Sequence, residues 1–246
     1  GATSNATLIN VKLNYDSIRG GSLTAGLVAQ GLNTTIADCF VKGNIEGYQY
    51  VGGIAGLLSA ASINRTYSKG TLIANHRESY AGGIVGSKDI TNLINSYSKM
   101  NVTGNQGLVG GLVGYNQSGD IRYCYANGGV SATEPLGQIG GLVGGYNRGA
   151  VLNSYWDTQA TGIGVSAGGG IGRTTEQMTY PYDQQTYSEW DFAAIWNTDE
   201  YLLNNGYPYL SFQIFDVEPA LPPGRTYTVS WDELVIVRWH APGEGW

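Results

Sequence analysis

The sequence predicts an all-β parallel β-helix: a solenoid of about six coils, expected right-handed and closed by a C-terminal cap. Two observations carry this prediction. Aromatic residues recur at near-regular intervals, at Tyr15, Phe40, Tyr67, Tyr97, Tyr125 and Tyr155. Four of them follow, fifteen residues later, a Gly-Gly-aliphatic-small-Gly pentad that begins at Gly52, Gly82, Gly110 or Gly140. Phe40 has the same partner in weaker form at Ala25–Ala29. A repeat of this length with one half held constant marks stacked coils, each of which buries its apolar face only against its neighbours.

Each part of the coil has a physical reason. Apolar residues lie four before the aromatic, at Val11, Ile36, Ile63, Leu93, Ile121 and Val151. Two more columns run within the pentads, Leu27–Ile54–Ile84–Leu112–Leu142 and Val28–Ala55–Val85–Val113–Val143. Equal positions stacked on one another bury a continuous apolar line along the axis. The glycines permit sharp corners and close approach of successive backbones. Asn116–Gly119 and Asn147–Gly149 are turn chemistry. Helical repeats are disfavoured, because a glycine inside a helix costs about 1 kcal/mol. The stretch from each aromatic to the next glycine pair varies through 12, 15, 13 and 15 residues. Insertions therefore gather on one side, in Asn44–Tyr50, Ala74–Tyr80 and Ala132–Gln138, and such a side is often the binding face.

Three regions emerge from this pattern. Residues 1–156 are the solenoid repeats. Residues 157–212 are read as a C-terminal cap with loops and a helical turn near Thr175–Met178, because an uncovered last coil would expose an aggregation-prone edge. Residues 213–246 hold Pro219, Pro222 and Pro223 and then two apolar stretches, Thr226–Trp231 and Leu234–Trp239, expected as a docking or assembly tail.

Composition narrows the function. Charged residues make up 13% and the formal net charge is −6, so no basic footprint for nucleic acid exists. No apolar run is long enough to span a bilayer, about 18 residues or more. The chain opens at Gly1 without Met or a leader, as expected of a mature or excised segment. Cys39 and Cys124 both precede a repeat aromatic, in the column Asn14, Cys39, Thr66, Ser96, Cys124, Ser154. Three steps of ~4.8 Å separate them by about 14 Å, whereas a disulfide needs Cα atoms within about 7 Å. They are expected to be unpaired.

The segments Leu108–Asn116 and Ile139–Asn147, with their Gly-Gly-Leu-Val-Gly cores, resemble the GLUG repeat. Asn153–Asp157, Thr174–Met178 and Trp190–Leu210 resemble the stretch usually found on the C-terminal side of such repeats. The resemblance covers roughly residues 8–212. It implies secreted or surface-attached bacterial or archaeal proteins, adhesin-like and β-solenoidal, hence an extracellular or cell-surface location. Some proteins with similar repeats are metallopeptidases that cleave immunoglobulin A. Here the zinc-binding His-Glu-x-x-His is missing, and the two histidines are His76 and His240, so that activity does not carry over.

Candidate ligand-binding residues fall into two groups. Lys42, Lys69 and Lys99 lie two after the aromatic and should stack as a ladder, either a basic stripe for an anionic glycan or a solvated edge. Tyr48, Tyr50, His76, Arg77 and Tyr80 sit on the variable loops and form a candidate sugar-stacking shelf. Sequons at Asn5, Asn33, Asn64, Asn101 and Asn116 are possible glycosylation positions. The carboxylates Asp38, Glu46, Glu78, Asp89, Asp120 and Glu134 form no pair of the kind a glycosidase needs. Gly162–Ala167 imitates a dinucleotide fingerprint without the βαβ unit that would give it meaning. No catalytic, metal or cofactor residue is expected. The reading is a structural or adhesive module of a surface adhesin or filament. Its partners would be its own kind, head to tail through terminal strands, or surface glycans. A glycan-binding module is the alternative, and a polysaccharide-degrading enzyme a distant one.

Overall fold

A computed structural model of the chain describes residues 1–134 and 137–213; the expected tail strands at 226–231 and 234–239 lie outside the described residues. Each turn of the chain makes four short strands, as in Leu23–Ala25, Val28–Leu32, Thr35–Ala37 and Phe40–Gly47. The next turn repeats them as Tyr50–Gly52, Ala55–Ser59, Ser62–Asn64 and Tyr67–Ala74. Equivalent strands pair in parallel, giving a β-solenoid of about five turns. We call the sheets containing Val28–Leu32, Thr35–Ala37, Phe40–Gly47 and Tyr50–Gly52 the first, second, third and fourth.

The register makes the columns literal. Tyr67 is paired with Phe40 and with Tyr97, Tyr97 with Tyr125, and Tyr125 with Tyr155. Ile36, Ile63, Leu93 and Ile121 succeed one another in the second sheet and are all buried. The N–H groups of Ile54, Ile84 and Leu112 donate in succession to the carbonyls of Ile84, Leu112 and Leu142, each the equivalent residue of the following coil. Cys39 and Cys124 are free and buried. Their column is a line of small polar groups: Thr66, Ser96 and Ser154 each donate through Oγ to the carbonyl two residues back. The Thr66 N–H donates to Ser96 Oγ and that of Cys124 to Ser154 Oγ, both at 3.1 Å. The column thus satisfies backbone groups left over where the chain turns a corner.

The first coil departs from the expected register. Lys12, not Tyr15, is opposite Phe40, and Leu8, not Val11, is opposite Ile36, so Val11 takes the place assigned to Asn14. The cause lies in a corner and a bulge. The residue two before the ladder position is in the left-handed region in every coil: Asn10, Asp38, Arg65, Asn95, Tyr123 and Asn153. Asn and Asp adopt that conformation most readily, and Asn10 fixes the corner. Tyr15–Asp16 then form an irregularity opposite Gly43. A Cβ on Gly43 would strike the Tyr15 ring, and Tyr15 packs against the core instead of extending the ladder.

Residues 157–213 do two jobs. Helix α1 (Thr158–Thr161) is N-capped by Asp157 and closed by Gly162 in the left-handed region. The Gly-rich loop after it lies over the last rung: Trp156 Nε1 donates to Ile163 O, and Ser166 exchanges hydrogen bonds with Val143. Ile171–Arg173 then adds a parallel strand beyond Tyr155–Asp157. The second part, from α2 (Thr175–Met178, with the capping box Thr174/Gln177) to Gln213, lies against the flank of the rod. Met178, Tyr187, Trp190, Trp196, Tyr207 and Leu210 cover the ladder Tyr97–Tyr125–Tyr155. Tyr125 Oη donates to Pro208 O, Tyr97 Oη to Gln213 Oε1, and Trp190 Nε1 to Asn153 O, each within 2.9 Å.

The pentad glycines serve two distinct contacts. A Cβ on Gly52, Gly82, Gly110 or Gly140 would collide with the carbonyl of the pentad's own fourth residue. On Gly53, Gly83 or Gly111 it would collide with the second-glycine carbonyl of the following coil. Gly83→Ala should therefore destabilise the chain by about 1–3 kcal/mol, the usual range for forced overpacking. Gly164→Ala, with open space around its Cβ position, should leave the urea midpoint unchanged; equal midpoints for the two variants would contradict the stacking contact.

Candidate functional site

The third sheet carries the lysine candidates. Lys42, Lys69 and Lys99 are in register, as their spacing requires. They do not form a uniform basic stripe, however. Lys42 and Lys69 are exposed, whereas the flanking segment engages Lys99. Lys99 Nζ donates to Asn204 O and Oδ1 at 3.3 and 3.0 Å and lies 5.8 Å from the Tyr207 ring centre. Burial, with repulsion from Lys69, pushes its amine down to about 8. Beside the lysines runs the aromatic ladder: Phe40–Tyr67, Tyr67–Tyr97 and Tyr97–Tyr125 stack with centres 4.5, 5.0 and 4.7 Å apart. Stacked pairs contribute about 1 kcal/mol each beyond their burial. Tyr97 and Tyr125 are fully covered, so this part of the ladder offers nothing to a ligand.

The variable loops bring the remaining candidates together between the third and fourth sheets. Tyr48 packs on His76 at 4.6 Å, and Tyr80 stacks on Tyr50 at 5.0 Å and on Tyr115 at 5.4 Å. Tyr50, Tyr80 and Tyr115 turn their faces to one another and present a row of ring edges, whereas Tyr48 and His76 meet at a tilt of 53°. Arg77 donates through Nε to Gln106 Oε1 on the next coil. An open groove of about 410 Å³ lies here, lined by Arg77, Tyr80, Gln106, Leu108 and Gln138 among others. Gln106, Gln138 and Tyr115 are not apparent from the repeat alone, because they fall in its irregular half or across the corner from it.

Lys88 is the residue that sequence reasoning missed. It is paired with Leu58 on one side and Asn116 on the other, in a column that also holds Gly31, and its match to Leu58 six residues after the pentad start is the signal the sequence offers. Its side chain is fully buried, and Nζ donates to the carbonyls of Thr91, Ser118 and Gly119 at 2.7, 3.1 and 3.0 Å. Burial pushes the amine down to about 7, against the pull of Cys124, Asp120 and Asp89. The Cys124 thiol, also buried, is pushed up to about 12 and is unreactive at neutral pH. Of the sequon residues, Asn5, Asn33 and Asn101 are exposed and Asn64 is half-buried, but Asn116 is buried and presents no amide to a glycan. Among the described residues no three His, Cys, Asp or Glu side chains are grouped as metal ligands. No helix there is long and apolar enough to cross a membrane.

Stacked parallel rungs, aligned glycine corners and a flank-covering segment define a parallel β-solenoid protein. Within that class the chain carries a GLUG motif, which matches residues 105–131. A protein named as a Gly-rich membrane protein in Evansella cellulosilytica is 34% identical over 128 residues, 49% of this chain and 14% of that protein. Halomucin of Haloquadratum walsbyi is 30% identical over 226 residues, 89% of this chain and 2% of that protein. The chain thus spans a small fraction of either relative. A crystal structure of a candidate immunoglobulin A1 protease from Bacteroides ovatus has a TM-score of 0.58 at 18% identity, over 85% of this chain and 76% of that one. At that identity the likeness is one of fold.

The buried amine gives a pH prediction. The Lys88 amine is near 7 in the fold and 10.5 in the unfolded chain, so the unfolded chain binds more protons between those values. Wild-type stability should then rise relative to Lys88→Met as pH increases from 6 to 9, and the deficit should be full below pH 7. Urea unfolding of both proteins across that range measures the difference, and a constant difference would show that burial does not depress the amine.

Proposed function

We propose that the chain is a non-catalytic module of a long protein held at or outside the cell surface, where its solenoid serves as a stiff spacer that displays or adheres. The observation that supports this reading is the unbroken register of the second sheet, from Leu8 to Val151. In such a stack each rung contacts only its neighbours, so a rod of any length is built by repetition. The great length of both relatives, one named as a membrane protein and one as halomucin, fits a unit used as one segment among many. The sparse charge and the polar Asn, Thr and Tyr surface suit an exposed position.

Assembly belongs to the same reading. At the first rung, Ala2–Ser4, Thr7–Ile9 and Lys12–Arg19 each pair on one side only. Ile9 is 57% exposed there. An edge of this kind is a template for further strands, which a preceding coil of the same protein or a second copy would equally supply. The reading assigns no peptidase activity to the chain.

Protease applied to intact cells of the source organism should remove an epitope within Ile163–Gly172, and purified chain should leave immunoglobulin A uncut. An epitope that becomes accessible only after lysis would overturn the surface assignment. Cleaved immunoglobulin would overturn the non-catalytic one.

A further inference from the structure

The groove between the third and fourth sheets has a construction that restricts the ligands it can hold. Three successive coils supply its lining, so its groups recur at roughly the 4.8 Å rung spacing along the axis. The strands beneath it, Tyr80–Gly82, Leu108–Gly110 and Gln138–Gly140, are paired with one another. Tyr80–Gly82 and Leu108–Gly110 are paired on both sides, and Gln138–Gly140 is the last strand of its sheet, so the two inner rungs leave no backbone edge for an extended peptide to join. The groove offers side-chain hydrogen bonding instead: the Arg77 guanidinium, the Glu78 carboxylate, the Gln106 and Gln138 amides, and the phenol of Tyr80. Arg77 and Gln106 hold each other in place at 3.1 Å. Ser79, a buried residue of the lining, has an Oγ with no hydrogen-bond partner among the described residues. The Leu108 side chain and the tyrosine edges add apolar surface between these groups.

Donors, acceptors and apolar edges, repeated along a line, complement a chain of pyranose rings, which alternates hydroxyl groups with C–H surface. The chain's low charge and net −6 disfavour a polyanion as dense as nucleic acid. We propose that the groove binds a linear glycan lying along the rod axis. Its rings rest on the Tyr80 and Leu108 edges, and its hydroxyls are taken by Arg77, Gln106 and Gln138. Where a ring carries a carboxylate, Arg77 is the group that meets it, since its planar fork matches that geometry. The proposal rests on the surface-module reading and names the class of molecule to which such a module would adhere.

The test is calorimetric titration of the full-length chain with two probes, a neutral glucan hexamer and a hexameric oligouronate. At least one should bind. Gln138→Ala and Tyr80→Ala should each weaken that binding by up to about tenfold, the loss expected for one hydrogen bond. Arg77→Ala should weaken the oligouronate more than the glucan. Ser62→Ala, on the second sheet, should change nothing, and circular dichroism checks that each variant folds; Gln138 is exposed, so its variant keeps the test valid should Tyr80→Ala fail to fold. Absence of binding to either probe, or binding that Gln138→Ala and Arg77→Ala leave unchanged, would overturn the proposal. New reducing ends released from a bound probe would keep the groove as a glycan site and overturn only the non-catalytic reading.

Discussion

The structure depends on one constraint: equal residues of successive turns lie one rung apart, close to 4.8 Å. At that distance a column must suit itself. Aliphatic side chains bury each other, hydroxyls hydrogen-bond in line, and aromatic rings stack. Two successive carbonyl-facing backbones leave no room for a Cβ, which accounts for the second glycine of each pentad. The first glycine answers a different contact, a collision within its own corner. The GLUG pattern is thus a record of two separate steric limits at the point where the fourth sheet turns into the first.

The same constraint explains why so much of the fold is legible in the sequence. A stack converts spatial neighbours into a sequence period, so the Ile54–Leu142 column and the separation of Cys39 from Cys124 can be read from spacing alone. The first coil shows the limit of that method. Aromatic side chains mark the third sheet but do not set its register; the left-handed corner two residues earlier does. Asn10 carries that information, and Tyr15 is the more conspicuous residue. The bulge that displaces Tyr15 inward depends on Gly43 opposite, a contact between coils that no single-coil pattern contains.

The flank shows a second limit. Periodicity states that Tyr67, Tyr97, Tyr125 and Tyr155 point outward, but not whether anything covers them. Sequence reasoning places the aromatic cluster after residue 157 over the end of the rod, which is the site of greatest apolar exposure. In the fold only the Trp156–Gly170 stretch closes the end, and Met178–Leu210 covers the ladder. The clue lies in the residue type. Tyrosine suits a column that is buried yet bonded, since its hydroxyl must find a partner when covered; Pro208, Asn204 and Gln213 supply those partners.

Lys88 and Lys99 clarify how polar groups are distributed over the rod. Both are depressed mainly by burial, yet for different structural reasons. Lys88 sits inside the stack between Leu58 and Asn116 and is held by three carbonyls at a corner. Lys99 belongs to an outward row and becomes enclosed because the flanking segment closes over it. The segment thereby removes the ladder and part of the lysine row from the accessible surface. The second sheet exposes short strands between two tight corners, and the first sheet turns Tyr115 toward Tyr80. The side where coil length varies, and where Arg77, Gln106 and Gln138 stand on successive rungs, is therefore the face on which side chains change without disturbing the stack. Recognition on this rod would have to evolve there, because every other column answers first to its own neighbours.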